Sequence, residues 1–314
     1  MGTTEKIREI AAGLLRDGKV DVVIGYGPGT LPLRSTPLFA RTVEEAERLI
    51  WDATCGNNLA VYLPGRKDRV GIVVKGCDSR AVVQLIHENQ IAREQVFLIG
   101  VPCAGIVDRR QVEAAVEREI KLAREEGPEL VVEGDGWSRR FHKEEVLYGA
   151  CRTCRHNNPV LYDALAAEPL PSRNGGPTLV EVWEKKPAEE RRNFILSEMA
   201  RCIRCYACRN ACPLCYCTEC FVDCSTPRWL GRATDAGENL FFQIGRVFHV
   251  AGRCVACGAC GRACPMDLKL GLLLGKMNKD VLELFGHEAG LNPEVPPALN
   301  AFRPDDPETF LLGK

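Results

Sequence analysis

Two stretches of this sequence repeat one cysteine pattern. They are Cys202-x2-Cys205-x2-Cys208-x3-Cys212-Pro213 and Cys254-x2-Cys257-x2-Cys260-x3-Cys264-Pro265. A cuboidal iron–sulfur cluster needs four thiolates, one at each iron corner. Three cysteines at intervals of three residues wrap one loop around three corners, and the fourth comes from elsewhere. In two-cluster proteins with this spacing, the fourth cysteine of each run ligates the other cluster. The expected sets are therefore Cys202, Cys205 and Cys208 with Cys264, and Cys254, Cys257 and Cys260 with Cys212. Each set would hold a four-iron (4Fe-4S) cluster, whose chemistry is the transfer of single electrons. Zinc is the competing occupant, but zinc sites pair two C-x2-C knuckles. A triple run ending in Cys-Pro, present twice, speaks for clusters.

All of the 17 cysteines except Cys55, Cys77 and Cys103 lie between Cys151 and Cys264. Immediately after the first run comes a denser, less regular one: Cys215, Cys217, Cys220 and Cys224. Free thiols at this density would oxidise or scavenge metal, so a third metal site is expected here, shielded by Tyr216, Phe221 and Val222. It would be four-iron, two-iron or zinc. The plain alternative is that some of these cysteines line the two-cluster shell as small apolar residues. A further pair, Cys151-x2-Cys154, closes the N-terminal region. Alone it reads equally as half a zinc site, half a cluster site or a redox dithiol. Cys55, Cys77 and Cys103 each sit in a loop beside an expected strand, and such loops converge on one crevice of a parallel sheet. A fourth site is expected from Cys151, Cys154, Cys55 and Cys103, with Cys77 the less favoured ligand.

Lys75-Gly76-Cys77-Asp78-Ser79-Arg80 stands at a strand-to-helix junction. Amide groups at a helix start, with Lys75 and Arg80, suit a phosphate or flavin group, and Gly76 permits close backbone approach. An ordinary turn capped by Asp78 or Ser79 is the plain alternative. The loop Gly25-Tyr26-Gly27-Pro28-Gly29 is a weaker candidate for flavin or nucleotide contact. His87, His142, His156, His249 and His287 form no ligand pair. His249 precedes the second run and reads as a packed core histidine or as a group tuning a nearby cluster.

The elements that must position these residues are legible in outline. A chain of 314 residues, 46% apolar and with a net charge of −1, is long enough for two or three domains. The charge gives no footing for nucleic acid or anionic lipid, and no apolar run approaches the ~20 residues of a membrane span. Many cysteines without an export signal point to a reducing, cytoplasmic and anaerobic setting. A helix ends at Gly18, a strand follows at 20–24, and GYGPG reads as an irregular loop. Thr42-x-x-Glu45 is a capping box for a helix to about Asp52, and 59–63 reads as a strand. Residues 70–101 read as strand, helix, strand, hence a parallel βαβ unit. Residues 107–126 read as a charged helix. Helices are also expected over 189–200, over 267–285 and between the two cysteine runs. In the last of these, Leu240, Phe241, Ile244, Val247, Phe248 and Val250 recur at helical spacing. The expected layout is an α/β domain with a mainly parallel sheet over 1–168, built to bind a flavin or dock a partner. A linker covers 169–188, a helical two-cluster ferredoxin-like domain 189–290, and an extended tail 291–314.

The segments VVKGCDSRAVVQLI and FLIGVPCAGI, followed by CRTC, resemble the beta subunits of deazaflavin-coenzyme-reducing hydrogenases and dehydrogenases. The likeness covers roughly residues 20–160. The cysteine-rich half resembles the helical ferredoxin domains of heterodisulfide reductase-type subunits, here placed after the family domain. The resemblance implies FAD, with Lys75, Gly76, Cys77, Asp78, Ser79, Arg80 and Pro102 bordering it. It also implies partners: catalytic or flavin-containing subunits of a redox complex, and a soluble ferredoxin or hydride carrier. The expected function is an electron-transfer subunit of an oxidoreductase complex of hydrogenase, formate dehydrogenase or heterodisulfide reductase type. The alternatives are a flavin-free ferredoxin-type adaptor, and a reductase acting directly through Cys151 and Cys154.

Overall fold

The computed structural model describes residues 2–173, 175 and 178–298. The chain divides into two units, Met1–Arg80 with Asn89–Gly176, and Ala81–Glu88 with Pro177–Lys314. The first unit begins with helix α1 (Thr3–Arg16), then β1 (Val22–Pro28), β2 (Ser35–Ala40), α2 (Val43–Ala46) and a 3-10 turn at Leu59–Tyr62. Strand β3 (Val70–Val74), helix α3 (Gly76–His87) and strand β4 (Val96–Gly100) follow. Every residue of β3 is buried, as expected of a strand covered on both faces. It pairs in parallel with β1 on one side and with β4 on the other. A short strand β8 (Ala164–Leu165) adds in parallel to β4, and only β2 runs antiparallel, so the sheet order is β2-β1-β3-β4-β8. The expected mainly parallel sheet is present. Ile7, Ala11 and Leu14 of α1 are buried, and α1 packs on β1 and β3. Each large aliphatic side chain so buried contributes about 1.5–3 kcal/mol.

Four local expectations are corrected. GYGPG is strand, not loop: Gly25 to Pro28 continue β1 and pair with β2. Gly25 is there because a Cβ would stand 2.4 Å from Leu49 Cδ2. The capping box forms, with Thr42 Oγ1 accepting the Glu45 N–H and the Glu45 carboxylate accepting the Arg41 N–H. Yet its helix ends after one turn, because Ile50 leaves it to bridge Tyr26. The stretch read as a strand over 59–63 is instead the 3-10 turn Leu59–Tyr62, capped by Asn58; a short buried apolar run does not by itself distinguish the two conformations. Residues 107–126 are helical only as α4 (Arg109–Val116), after which β5 (Leu122–Glu126) opens a second sheet with β6 (Glu129–Gly134) and β7 (Trp137–His142). This antiparallel sheet closes a small core of Leu33, Val107, Val112, Leu130, Val132, Phe141 and neighbours. A short helix α5 (Gly149–Arg152) carries Cys151.

The second unit is helical: α6 (Leu179–Glu184), α7 (Ala188–Ala200), α8 (Ala207–Asn210), α9 (Ala236–His249), α10 (Ala259–Ala263) and α11 (Leu270–Phe285). Helix α6 falls inside the stretch read as linker. Helix α9 packs on α7 and α11, and α8 packs on α10. Among the described residues no helix is long and apolar enough to cross a membrane. Most of the tail expected over 291–314 lies outside the described residues.

Candidate metal centre

The two cysteine runs share a backbone conformation. Arg204 and Tyr206 have φ of 49° and 60°, and the equivalent Ala256 and Gly258 have φ of 54° and 72°. Left-handed residues cost about 1–3 kcal/mol each when they are not glycine, and they turn successive N–H groups inward. Such nests of amides are a recurrent feature of iron–sulfur sites. Each loop then enters a short helix, α8 carrying Cys208 and α10 carrying Cys260. Because α8 packs on α10, the two runs meet.

Cys202, Cys205, Cys208 and Cys264 line one partly open pocket, walled by Ile203, Tyr206, Phe242, Met266, Leu268 and Leu270. The fourth cysteine comes from the other run. Asn239, wholly buried on α9, anchors this loop: its amide donates to the carbonyls of Met199, Cys202 and Thr234 at 2.7–3.0 Å. Gln243, one turn on, also lines the cavity, with its amide nitrogen 3.9 Å from both Cys202 Sγ and Cys208 Sγ.

Cys254, Cys257, Cys260 and Cys212 form a second group. Burial pushes the Cys254 thiol up to about 12, and Cys257, Cys212 and Cys260 push in the same direction. Cys260 is likewise raised by burial and by Cys257 and Cys212, with Arg246 acting the other way. Asn278 holds the Cys254 carbonyl at 3.1 Å and Arg262 the Cys257 carbonyl at 2.7 Å. The eight thiols are soft donors with no histidine among them, a set that selects iron–sulfur clusters or zinc. Among the described residues no three cysteine, histidine or acidic side chains gather as they would on a single ion. The first group surrounds a volume instead, which suits a cuboidal cluster.

The third run is dispersed. Cys215 is engaged with Cys212 and Arg246. Cys217 is exposed. Cys224 Sγ lies 3.5 Å from the Cys220 carbonyl, and Arg209 acts on Cys220 and Asp223. Phe221 stacks edge-on against Phe241 and His249. His249 itself is exposed and is no core residue.

In the first unit, Cys103 is brought to Cys151 and Cys154. The Cys103 N–H donates to Asn157 O at 2.8 Å, tying the 101–104 stretch to the segment after Cys154. Burial pushes Cys103 up to about 12, and Cys151 and Cys154 add to it. Burial also raises Cys154, while the His156 backbone, Arg80 and Arg173 act in the opposite direction. Arg173 donates to the Ala104 and Cys151 carbonyls at 2.8 and 3.4 Å. Cys55 is fully buried, and its sulfur receives the Asp52 N–H at 3.4 Å. Cys77 is partly exposed, beside Asp78.

The groups expected to cradle an anion at Lys75–Arg80 are used within the chain. Lys75 Nζ donates to Asp78 Oδ2 at 2.8 Å, to Tyr26 Oη at 2.5 Å and to Asn57 O at 2.7 Å, which occupies all three of its protons. Ser79 Oγ donates to Gly76 O and accepts the Val160 N–H. Arg80 and Pro102 are buried. Gly76 does permit close backbone approach, but by the chain itself: a Cβ there would lie 1.9 Å from His156 O. Gly76→Ala must push away the segment leading from Cys154, at an expected cost of about 1–3 kcal/mol. Urea unfolding measures it, and an unchanged midpoint would mean that the approach is loose.

Sequence reasoning missed the buried face of α9. Of the apolar residues noted at helical spacing, Val247 and Val250 are buried but Phe241, Ile244 and Phe248 are 51%, 41% and 62% exposed, while Asn239, Gln243 and Arg246 are buried. The available signal was that these three polar residues recur at helical spacing on a helix leading from one cysteine run to the next.

The resemblance carried by KGCDSR, GVPC and CRTC is borne out by relatives that run nearly the length of the chain. The F420-dependent formate dehydrogenase subunit beta of Methanocaldococcus jannaschii is 27% identical over an alignment of 359 positions that covers 92% of each chain. The F420-dependent formate dehydrogenase 1 subunit beta of Methanococcus maripaludis is 26% identical over an alignment of 363 positions, covering 93% of this chain and 92% of the relative. No family model matches the chain. Among solved structures, a chain of the F420-reducing NiFe hydrogenase complex from Methanosarcina barkeri matches with a TM-score of 0.38 and 17% identity, over 49% of this chain and 58% of that one.

Proposed function

We propose that this chain is the electron-transfer subunit of an oxidoreductase complex of hydrogenase, formate dehydrogenase or heterodisulfide reductase type. In this reading the second unit holds two four-iron clusters, and the observation that carries it is the cavity shared by Cys202, Cys205, Cys208 and Cys264. The runs supply four thiolates to each cluster by exchanging their last cysteines, Cys264 to the first and Cys212 to the second. The clusters, when bound, supply one-electron transfer. The protein's own part is to exclude water with the apolar walls, to hold the loops through Asn239, Asn278 and Arg262, and to keep both sites within one unit. The gathered Cys103, Cys151 and Cys154 are proposed as ligands of a further cluster in the first unit. Cys220 and Cys224 are the remaining proposal for a surface metal site.

The names of the relatives give the proposed exchange partners. On that footing the first unit serves a deazaflavin hydride carrier, coenzyme F420, and the complex contains a formate- or hydrogen-oxidising subunit. Hydride exchange moves two electrons together and clusters move one, and FAD supplies the conversion between them. The residues Lys75–Arg80 do not fit as its cradle, since their charges and hydroxyls are engaged internally, so no step is assigned to a flavin there. That engagement favours the second reading, a flavin-free adaptor joining a catalytic subunit to an acceptor.

Iron, sulfide and flavin per chain, measured on protein purified without oxygen, decide between them. At least about eight irons with equal sulfide is expected from two four-iron clusters. Stoichiometric flavin selects the first reading, and its absence after reconstitution with FAD selects the adaptor. A chain with zinc and no sulfide would sink both.

A further inference from the structure

Arg246 is the most unusual charge in the second unit. It lies on α9, one turn after Gln243, and is 3% exposed. Its Nη1 and Nη2 find no hydrogen-bond partner of normal geometry among the described residues. Leaving such donors unsatisfied in a protein interior is costly, more so for a charged group. The groups acting on it most strongly are the thiols of Cys260, Cys208, Cys215 and Cys212. Cys208 belongs to the first group of four, and Cys260 and Cys212 belong to the second. Its Nε also donates to Gln243 Oε1 at 3.4 Å, and the Gln243 amide nitrogen faces Cys202 and Cys208 at 3.9 Å. One helix face therefore presents a fixed positive charge and an amide donor between two sets of soft anionic ligands.

We propose that Arg246 is an electrostatic bridge between the two cluster sites, a positioning and tuning residue that raises the reduction potential of both. The proposal rests on the two-cluster reading above. Its chemistry is simple. Each one-electron reduction adds a negative charge to a site already bounded by four thiolates. A cation held in a medium of low dielectric, screened little by salt, favours the state with the extra electron. The same charge assists both sites because it acts on Cys208 of the first group and on Cys260 of the second. Its empty donors have no carboxylate to satisfy them, and sulfur acceptors of bound clusters would do so. Hydrogen bonds to the sulfurs and net local charge are the levers by which proteins set cluster potentials.

The test is a redox titration of the intact chain, purified without oxygen and followed by electron paramagnetic resonance. Three proteins are compared: wild type, Arg246→Met and Arg246→Lys. Methionine keeps the volume and removes the charge; lysine keeps the charge. In Arg246→Met both centres should become harder to reduce, by at least tenfold in the equilibrium constant, about 59 mV for a one-electron couple. Arg246→Lys should stay closer to wild type than to Arg246→Met at both centres. Loss of clusters in Arg246→Met together with retention in Arg246→Lys also supports the proposal, since only the charge distinguishes them. Wild-type potentials in Arg246→Met with full iron would overturn it. So would a shift confined to one centre, or loss of clusters in both variants, which would make the residue a scaffold. Failure of the two-cluster reading itself is seen separately, as wild-type protein lacking iron and sulfide, and removes this inference with it.

Discussion

Cys208→Ala should release about four irons and four sulfides per chain, or convert the site to a smaller cluster, and should leave a second four-iron centre in place. Cys208 is 6% exposed at the wall of the cavity that Cys202, Cys205 and Cys264 share. No water-borne ligand reaches that position freely, so alanine leaves one corner bare. The sharper form of this prediction is the exchange of fourth ligands. Cys264→Ala should damage the same centre as Cys208→Ala, although Cys264 belongs to the second run. Cys212→Ala should damage the other centre, together with Cys254→Ala. If Cys264→Ala instead paired with Cys254→Ala in its spectrum, each run would be closing its own cluster and the pairing would be wrong. Cys217→Ser provides the internal control. Its thiol is exposed and lies outside both groups, so iron, sulfide and the spectrum of the reduced protein should not change. These variants are compared by metal analysis and by electron paramagnetic resonance of reduced, oxygen-free protein.

Some of this architecture was legible because local pattern and tertiary role agreed. The cysteine spacing let the expected sets be written down before any fold was known, and the structure brings the first of them round one pocket. β3 and β4 were readable because a strand buried on both faces is a continuous apolar run. Where the two levels disagreed, the reading failed. Leu122–Glu126 is LAREE, a helix-forming composition, yet β6 needs a neighbour to cover Leu130 and Val132, and that demand outweighs propensity. Its charges end in cross-strand pairs such as Arg124 with Glu133, which at this exposure add little. The α9 helix failed for a different reason. Hydrophobic periodicity finds the buried face only when the interior is apolar. Here the interior beside α9 is lined with thiols, so the helix buries Gln243 and Arg246 and leaves Phe241 and Phe248 outside. The loop at Lys75 shows the same limit. Its residue types suit an external anion, and only their contacts reveal that an internal carboxylate already occupies Lys75.

That carboxylate gives the second large effect. Asp78→Ala should destabilise the chain by about 3–5 kcal/mol, the usual result of removing one partner from a buried ion pair. Asp78 is 0% and Lys75 2% exposed, so neither charge has water to fall back on. Lys75 would keep its bonds to Tyr26 Oη and Asn57 O, but both acceptors are neutral. Lys75→Met with Asp78→Leu should recover most of the loss, because two uncharged side chains of similar size need no partner. The pH dependence separates a charge effect from a packing effect. In the wild type, burial alone would lower Lys75, but Asp78, with Cys77 and Cys103, outweighs it and the ammonium is held above its ordinary value. A raised lysine contributes stability that is fully present below its unfolded value, about 10.4, and is lost as pH rises through the folded one. Across pH 7 to 9.5 this pair therefore adds no slope in the wild type. In Asp78→Ala the main opposition to burial is gone and the folded lysine releases its proton earlier. The unfolded state then binds more protons, and stability rises with pH. The deficit of Asp78→Ala in urea unfolding should shrink from pH 7 to 9.5. A deficit that stays constant would assign the loss to packing, and one below about 1 kcal/mol would mean that the pair is not the anchor of α3. The anchor matters to the thiols because the first turn of α3 carries Cys77 and presses Gly76 against His156, two residues after Cys154. If the proposed ligand sets hold, loosening it should therefore cost iron bound through Cys103, Cys151 and Cys154 and leave the iron of the second unit unchanged.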